Sequence, residues 1–362
     1  MERGGRRGAL IGLLTPAVAE WVPADARRGL TVESMIETAR RLVAHVRALE
    51  HPDIIVGLFH SGYQDPELSL STLGENFSAR IAAEVEGFDL IVMGHDHTPT
   101  IRKSPSGCLL ADAGAGAEKV VHAVISPEGT LTVSLPEIKN IEPDAEFCSR
   151  FAPVYRSVAS YVSRHVGRAA MDYYSGDALK GSSPFMQVIH EAQLRATGAR
   201  ISFAAPPQSN ASISAGELKV ADMYKFYRFD NGLSVLRLSG REIRDFLEWS
   251  YELRRPYLDP DADLHNAAPV YNLDSAFGID YSVDYSRPYG ERVEIHSLTD
   301  TGELWDPEAF YEVAMNSYRA CGGGGHLTKG AHISMADLSA RIVSNYGAGV
   351  RDAVEEYFSA AL

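Results

Sequence analysis

The chain has few cysteines, no excess of positive charge and no long apolar runs. Cysteine occurs three times, at Cys108, Cys148 and Cys321. None of them forms Cys-x-x-Cys or a paired spacing, which excludes a disulfide framework. Lys and Arg number 34 against 48 Asp and Glu, for a net charge of −14 over 362 residues. That balance argues against a general nucleic-acid surface, which needs basic patches. It leaves room for a small anionic ligand, because a bound metal ion inverts the local field. No apolar stretch approaches the roughly 18 residues of a membrane-spanning helix. No Gly-x-Gly-x-x-Gly opens a helix after a strand, and the run Gly322–Gly325 carries no Lys-Ser/Thr behind it, so the dinucleotide and P-loop signatures are missing. Internal repeats and low-complexity segments are absent too.

What is present starts with two strand-like runs that end in histidine. Leu90-Ile91-Val92-Met93 closes on Gly94 and opens into His95-Asp96-His97. Ile54-Ile55-Val56-Gly57-Leu58-Phe59 runs into His60-Ser61-Gly62. Short apolar runs of this kind read as buried parallel strands. The carboxyl ends of such strands are where α/β proteins place their sites. Neighbouring strands would put His60, His95 and His97 on one edge, and neutral imidazole is a common ligand of zinc, manganese and iron.

The N-terminus allows two readings. Arg3, Arg6 and Arg7, the apolar run Ala9–Leu14 and Ala17-Val18-Ala19 resemble a signal peptide with its cleavage site. The same Ala9–Leu14 run, broken by Gly12 and followed by Thr15-Pro16, also reads as a core strand.

At 362 residues the chain is long enough for two domains. A helix over about Val32–Leu49 is predicted, then a second over Phe77–Val85, with short strands near Cys108–Asp112, Val120–Ile125 and Leu131–Leu135. This alternation means a layered α/β domain, ending near Pro136–Pro143. Apolar spacing then predicts one long helix from Ala145 to Val166. From about Gly167 a second α/β domain follows: helix Phe185–Ala196, strand Ile201–Ala204, a short helix near Asp222–Phe226, strand Leu233–Leu238, and helix Arg241–Glu252. Arg255–Ala268 reads as a polar loop. Strands near Ile279–Asp284, Arg292–His296 and Tyr311–Ala314 precede the glycine run.

The segments GLLTPAV, LFHSGY, IVMGHDHT, GARISFAAP, ADMYKFYRFDN, LRLSGREIRDFLEWS, YNLDSAFGIDYSVD and NSYRACGGGG span nearly the whole chain. In that order they resemble the bacterial 5'-nucleotidase / 2',3'-cyclic-nucleotide 2'-phosphodiesterase–3'-nucleotidase family. His-x-His together with SYRACGGGG looks more like the cyclic-phosphodiesterase/3'-nucleotidase branch. The resemblance implies an α/β fold: part of a calcineurin-like metallophosphoesterase β-sandwich with flanking helices over residues 1–142, a linker helix over 143–166, and a 5'-nucleotidase-type C-terminal domain over 167–362. It places GLLTPAV on an internal strand.

For function, the resemblance implies a hydrolase of nucleotide catabolism that cleaves nucleotide phosphoesters with water activated by two divalent metal ions, zinc, manganese or similar. It implies an exported protein, periplasmic or extracellular. His60, His95 and His97 would be metal ligands. The family's Asp-x-His, Gly-Asp and Asn-His-Glu/Asp motifs, which precede GLLTP, have no counterpart before His60. The family's catalytic histidine therefore has no assigned residue here, and the chain corresponds to the C-terminal two-thirds of such a hydrolase. Three protein ligands and an open position are the usual minimum for a catalytic zinc. The second domain would bind nucleotide or nucleoside by sandwiching the base between Phe229 and Tyr318, with Asn231 on the base edge and Gly323 and Gly324 allowing close backbone approach. Asn272 and Asp274 would cap local turns around that pocket. A nucleoside-binding protein without catalysis is the competing reading.

Overall fold

The computed structural model describes residues 1–22, 27–65, 71, 73–264 and 267–360. The chain divides into two compact units, residues 1–19 with 24–145, and residues 20–23 with 146–362.

The first unit is built on a six-stranded sheet. In chain order its strands are β1 (Glu2–Arg3), β2 (Arg6–Leu14), β3 (Ile54–His60), β4 (Leu90–Gly94), β5 (Thr100–Lys103) and β6 (Leu109–Asp112). Their spatial order is β1-β2-β3-β4-β6-β5, with β2, β3, β4 and β6 mutually parallel. The Ala9–Leu14 run therefore forms an inner strand, paired residue for residue with β3 from Gly8↔Ile54 to Leu14↔His60. Helices Met35–Glu50 and Ser78–Glu84 cover one face of the sheet. Ser34 caps the first of them by accepting from the Glu37 amide. Their Met35, Ile36, Ala39, Val43, Ile81 and Ala82 meet Ile11, Ile55, Phe59, Ile91, Met93 and Leu110. Side chains alternate along a strand, so Leu10, Leu14, Val56, Leu58 and Val92 belong to the other face. Leu10, Leu14 and Leu58 remain about half exposed there, at 54%, 53% and 45%. A hairpin of His122–Ile125 and Leu131–Ser134 completes the unit.

The second unit centres on a five-stranded mixed sheet. Its spatial order is Ser275–Phe277, Ile201–Ala204, Phe310–Asn316, Gly232–Ser239 and Ile342–Gly349. Both faces are covered. Helix Gly240–Arg254 packs on the face of Ile201, Phe203, Leu236, Leu238, Val313 and Met315. Helices Pro184–Thr197 and Val350–Ser359 belong to a second core with Ala204 and Leu233. Local chemistry sets the helix starts: Ser239 and Glu242 form a capping box, and Ser183 caps a helix whose first residue is Pro184. His190 lies in this interior, between Ser202 Oγ at 2.9 Å and Ser275 Oγ at 3.0 Å. Burial drops its pKa to about 3, so it is neutral.

Two expectations change. The helix from Ala145 stops at Val162, and Val166 lies instead in strand His165–Ala169. Apolar spacing continues across Ser163 and Arg164, but Val166 lies in a two-stranded ladder against Gly216–Lys219, and tertiary pairing overrides the helical period. In the loop Arg255–Ala268, residues 255–258 form a 3-10 turn, and 265–266 lie outside the described residues.

Candidate functional site

In the first unit, the parallel pairing of β3 with β4 puts His60 opposite Gly94, so both strands open into their loops at one edge. The His60 and His95 rings come within 5.1 Å, centroid to centroid, tilted by 59°. Burial lowers the pKa of His60, and the charges of His95 and His97 lower it further, which favours the neutral, ligand-competent imidazole. His95 Nε2 lies 3.1 Å from Glu75 Oε2. Both loop histidines have positive φ, 102° at His95 and 58° at His97. Such backbone costs about 1–3 kcal/mol per residue and tends to cluster at functional sites. Asp96 between them holds the loop: its Oδ2 accepts from the Tyr63 amide at 2.9 Å and its Oδ1 from the Thr98 amide at 3.1 Å.

Next along the edge, Asp112 is buried, with Oδ1 accepting from the Gly114 amide at 2.6 Å and Oδ2 without a hydrogen-bond partner among the described residues. Burial lifts its pKa to about 6, and Asp96 adds to the rise. Glu75 and the buried Asp112 are therefore part of this edge although no sequence motif marked them. The signal was their neighbourhood: Glu75 precedes a helix packed beside the histidine strands, and Asp112 ends the strand next to β4.

Among the described residues no group of three or more His, Cys, Asp or Glu side chains is arranged to hold a metal ion. His60 and His95 stand together, with Asp96 engaged by backbone amides and Glu75 by His95. A cavity of about 330 Å³ in this unit, lined by Phe88, Asp89, Lys103, Cys108 and Leu131, lies at the opposite end of β4 from the histidines.

In the second unit, the aromatic residues singled out from the sequence are linked through a third. The Tyr271 ring contacts Phe229 edge-to-face at 5.7 Å and 78°, and Tyr318 edge-to-face at 6.5 Å and 80°. Phe229 is half-buried against the core and also meets Tyr227. Asn231 Nδ2 donates to the Tyr227 hydroxyl at 3.0 Å, which fixes the amide beside Phe229.

Asn272 and Asp274 are not surface caps. Both are buried partners of Arg319, itself fully buried. Its Nη2 donates to Asp274 Oδ2 at 2.6 Å and to the Tyr271 carbonyl at 3.1 Å, and its Nη1 donates to Asn272 Oδ1 at 3.2 Å and to the Gly323 carbonyl. One guanidinium thus ties the turn carrying Tyr271 to the loop that follows Tyr318. Burial raises the pKa of Asp274 and Arg319 opposes it, while burial and Arg319 push His326 well below its usual range. The glycines have packing reasons to be glycine. A Cβ on Gly323 would overlap the Tyr318 ring, and Gly324 has φ of 71° with Arg319 and Asn272 where a Cβ would sit. Trp249 Nε1 donates to the Gly324 carbonyl at 2.9 Å.

Residues 165–330 match the family model of the 5'-nucleotidase, C-terminal domain. The chain is 27% identical to the 2',3'-cyclic-nucleotide 2'-phosphodiesterase/3'-nucleotidase of Salmonella typhimurium, covering 90% of this chain and 60% of that protein. It is 24% identical to the protein of the same name from Haemophilus influenzae, covering 93% and 61%. The chain therefore spans about 60% of the length of these curated relatives. Among solved structures, a 5'-nucleotidase precursor from Thermus thermophilus superposes with a TM-score of 0.61 at 22% identity, over 99% of this chain and 70% of that one, a likeness of fold. No helix among the described residues is long and apolar enough to cross a membrane. Residues 165–330 thus match the 5'-nucleotidase C-terminal domain, and over most of its length the chain is similar to 2',3'-cyclic-nucleotide 2'-phosphodiesterase/3'-nucleotidases.

Proposed function

We propose that this chain recognises the nucleoside part of a nucleotide phosphoester and serves its hydrolysis, with 2',3'-cyclic nucleotides and 3'-nucleotides as the substrate class. The observation that carries the reading is the Phe229–Tyr271–Tyr318 array beside Asn231, inside the matched 5'-nucleotidase domain. Aromatic faces stack any base, at about 1–3 kcal/mol per base. Phe229 and Tyr318 are the stacking pair, Asn231 meets the base edge, and Gly323 and Gly324 let the loop lie close. On this reading residues 1–142 form the metallophosphoesterase part, 143–166 the linker, and 167–362 the recognition domain, in an exported protein.

His60, His95 and His97 supply neutral nitrogen donors for a divalent ion such as zinc or manganese, which would neutralise charge on phosphorus. They are too few to hold a metal pair, so no catalytic step is assigned to this chain's residues. That shortage favours a second reading, nucleoside binding without turnover. Phosphate release from 3'-AMP by the purified chain, with manganese and then with chelator, separates the two. Chelator-sensitive release that disappears in His95→Ala supports hydrolysis at the histidine edge, whereas release indifferent to both refutes that assignment. No release from a folded chain that binds adenosine leaves the binding reading standing.

A further inference from the structure

We propose that Tyr271 is the end wall of the base pocket and the residue that limits how large a base edge the pocket takes; this rests on the stacking role given above to Phe229 and Tyr318. Tyr271 meets both rings at close to a right angle, 78° to Phe229 and 80° to Tyr318. A ring that stands edge-to-face against two stacking rings does not offer a third stacking surface between them. On this assignment it closes one side of the space between them. Phe229 and Tyr318 are far apart in sequence, and Tyr271 is the ring that touches each.

Two further features suit a wall. Tyr271 is 39% exposed, so its ring is reachable from solvent rather than absorbed into the core. Its backbone, in contrast, is fixed. The Tyr271 carbonyl accepts from Arg319 Nη2 at 3.1 Å, and the adjacent Asn272, buried, accepts from Nη1 of the same guanidinium at 3.2 Å. Arg319 is itself anchored by Asp274 at 2.6 Å. Discrimination by shape needs a contact group that cannot retreat, and here the group is carried on backbone tied to a buried ion pair. The ligand class that feels such a wall is a purine whose hydrogen-bonding edge is enlarged, since the two faces of the base are taken by Phe229 and Tyr318.

Calorimetric titration of the full chain with adenosine and with 1,N6-ethenoadenosine, whose extra fused ring enlarges that edge, tests the assignment. The native chain is expected to prefer adenosine by about tenfold or more, the scale on which an apolar pocket rejects added bulk. Tyr271→Ala should bring the two affinities within about threefold of each other, whereas Tyr271→Phe, which keeps the ring, should retain the preference. A native chain that does not discriminate, or a Tyr271→Ala chain with its preference intact, overturns the proposal. Phe229→Ala separates the two layers of inference. If it binds adenosine as the native chain does, the stacking reading itself fails. If it binds weakly while Tyr271→Ala leaves the preference untouched, only the role of Tyr271 falls. The Tyr271→Phe arm guards against misfolding, since it alters neither the ring nor its backbone ties.

Discussion

The sheet of residues 146–362 carries a helix-covered apolar core on each face, whereas the sheet of the first unit has helices on one face and leaves the other part open, with Leu90 and Ala111 buried there but Leu10, Leu14 and Leu58 about half exposed. In the second unit Ile201 and Phe203 point into one core, Ala204 belongs to the other, and a helical layer closes each. In the first, the Ile55, Phe59 and Ile91 face lies under two helices, while Leu10, Leu14 and Leu58 stay about half exposed on the reverse. Parallel sheets ordinarily carry cover on both faces. In the second unit Arg319 distributes its donors over Asp274, Asn272 and two backbone carbonyls, while Arg254 Nε, Tyr285 Oη and Thr328 Oγ1 there, like Asp112 Oδ2 in the first unit, have no hydrogen-bond partner among the described residues. The Arg319 network ties together the segments that carry Tyr271 and Tyr318, whereas the histidine edge sits in the unit whose sheet is covered by helices on one face.

That contrast can be broken at its strongest point first. Arg319→Met should destabilise the second unit by about 3–5 kcal/mol, because it strands the buried Asp274 charge. Denaturant unfolding followed at Trp249 measures this, and a loss below about 1 kcal/mol would show that the network is not what holds the pocket.

A comparable effect is expected from pH. The folded chain keeps His190 neutral down to about pH 3, while the unfolded chain protonates near 6.5. The unfolded state therefore binds more protons in that window, and stability falls as pH drops from about 6.5 toward 3, by on the order of a few kcal/mol. His190→Gln should flatten this slope; an unchanged slope would assign it to other groups.

Gly323→Ala is expected to be smaller in stability, about 1–3 kcal/mol of overpacking. It should also move the Tyr318 ring and weaken adenosine binding about tenfold, equivalent to roughly 1.4 kcal/mol. Smallest of all, Leu58→Thr on the exposed sheet face should change stability within about 0.5 kcal/mol, whereas Ile55→Ala on the covered face should cost about 2–5 kcal/mol. If the two substitutions cost the same, the exposed face is covered in solution and the contrast between the units dissolves.

Much of the fold was legible before any coordinates. Apolar runs closing on glycine or histidine marked β3 and β4 as parallel strands, because both faces of such strands carry apolar residues. Helix Gly240–Arg254 was expected over Arg241–Glu252, and its Ser239–Glu242 capping box accounts for the start. The end of the Ala145 helix was not, since the strand that holds Val166 pairs with Gly216–Lys219, a segment far along the chain. Phe229 and Tyr318 stood out through the motifs around them. Tyr271 read as structural, and Asn272 and Asp274 as turn caps, because nothing local reveals that Arg319 reaches them from 47 and 45 residues downstream.

The sequence by itself determined the element types, the α/β class, the histidines at strand ends and the acidic, cysteine-poor character, all of which follow from periodicity, composition and local capping. Only the tertiary structure decided that Tyr271 joins Phe229 to Tyr318 and that one buried guanidinium supports both sides of that array. Those outcomes depend on distances between segments far apart in the chain, which local pattern does not encode.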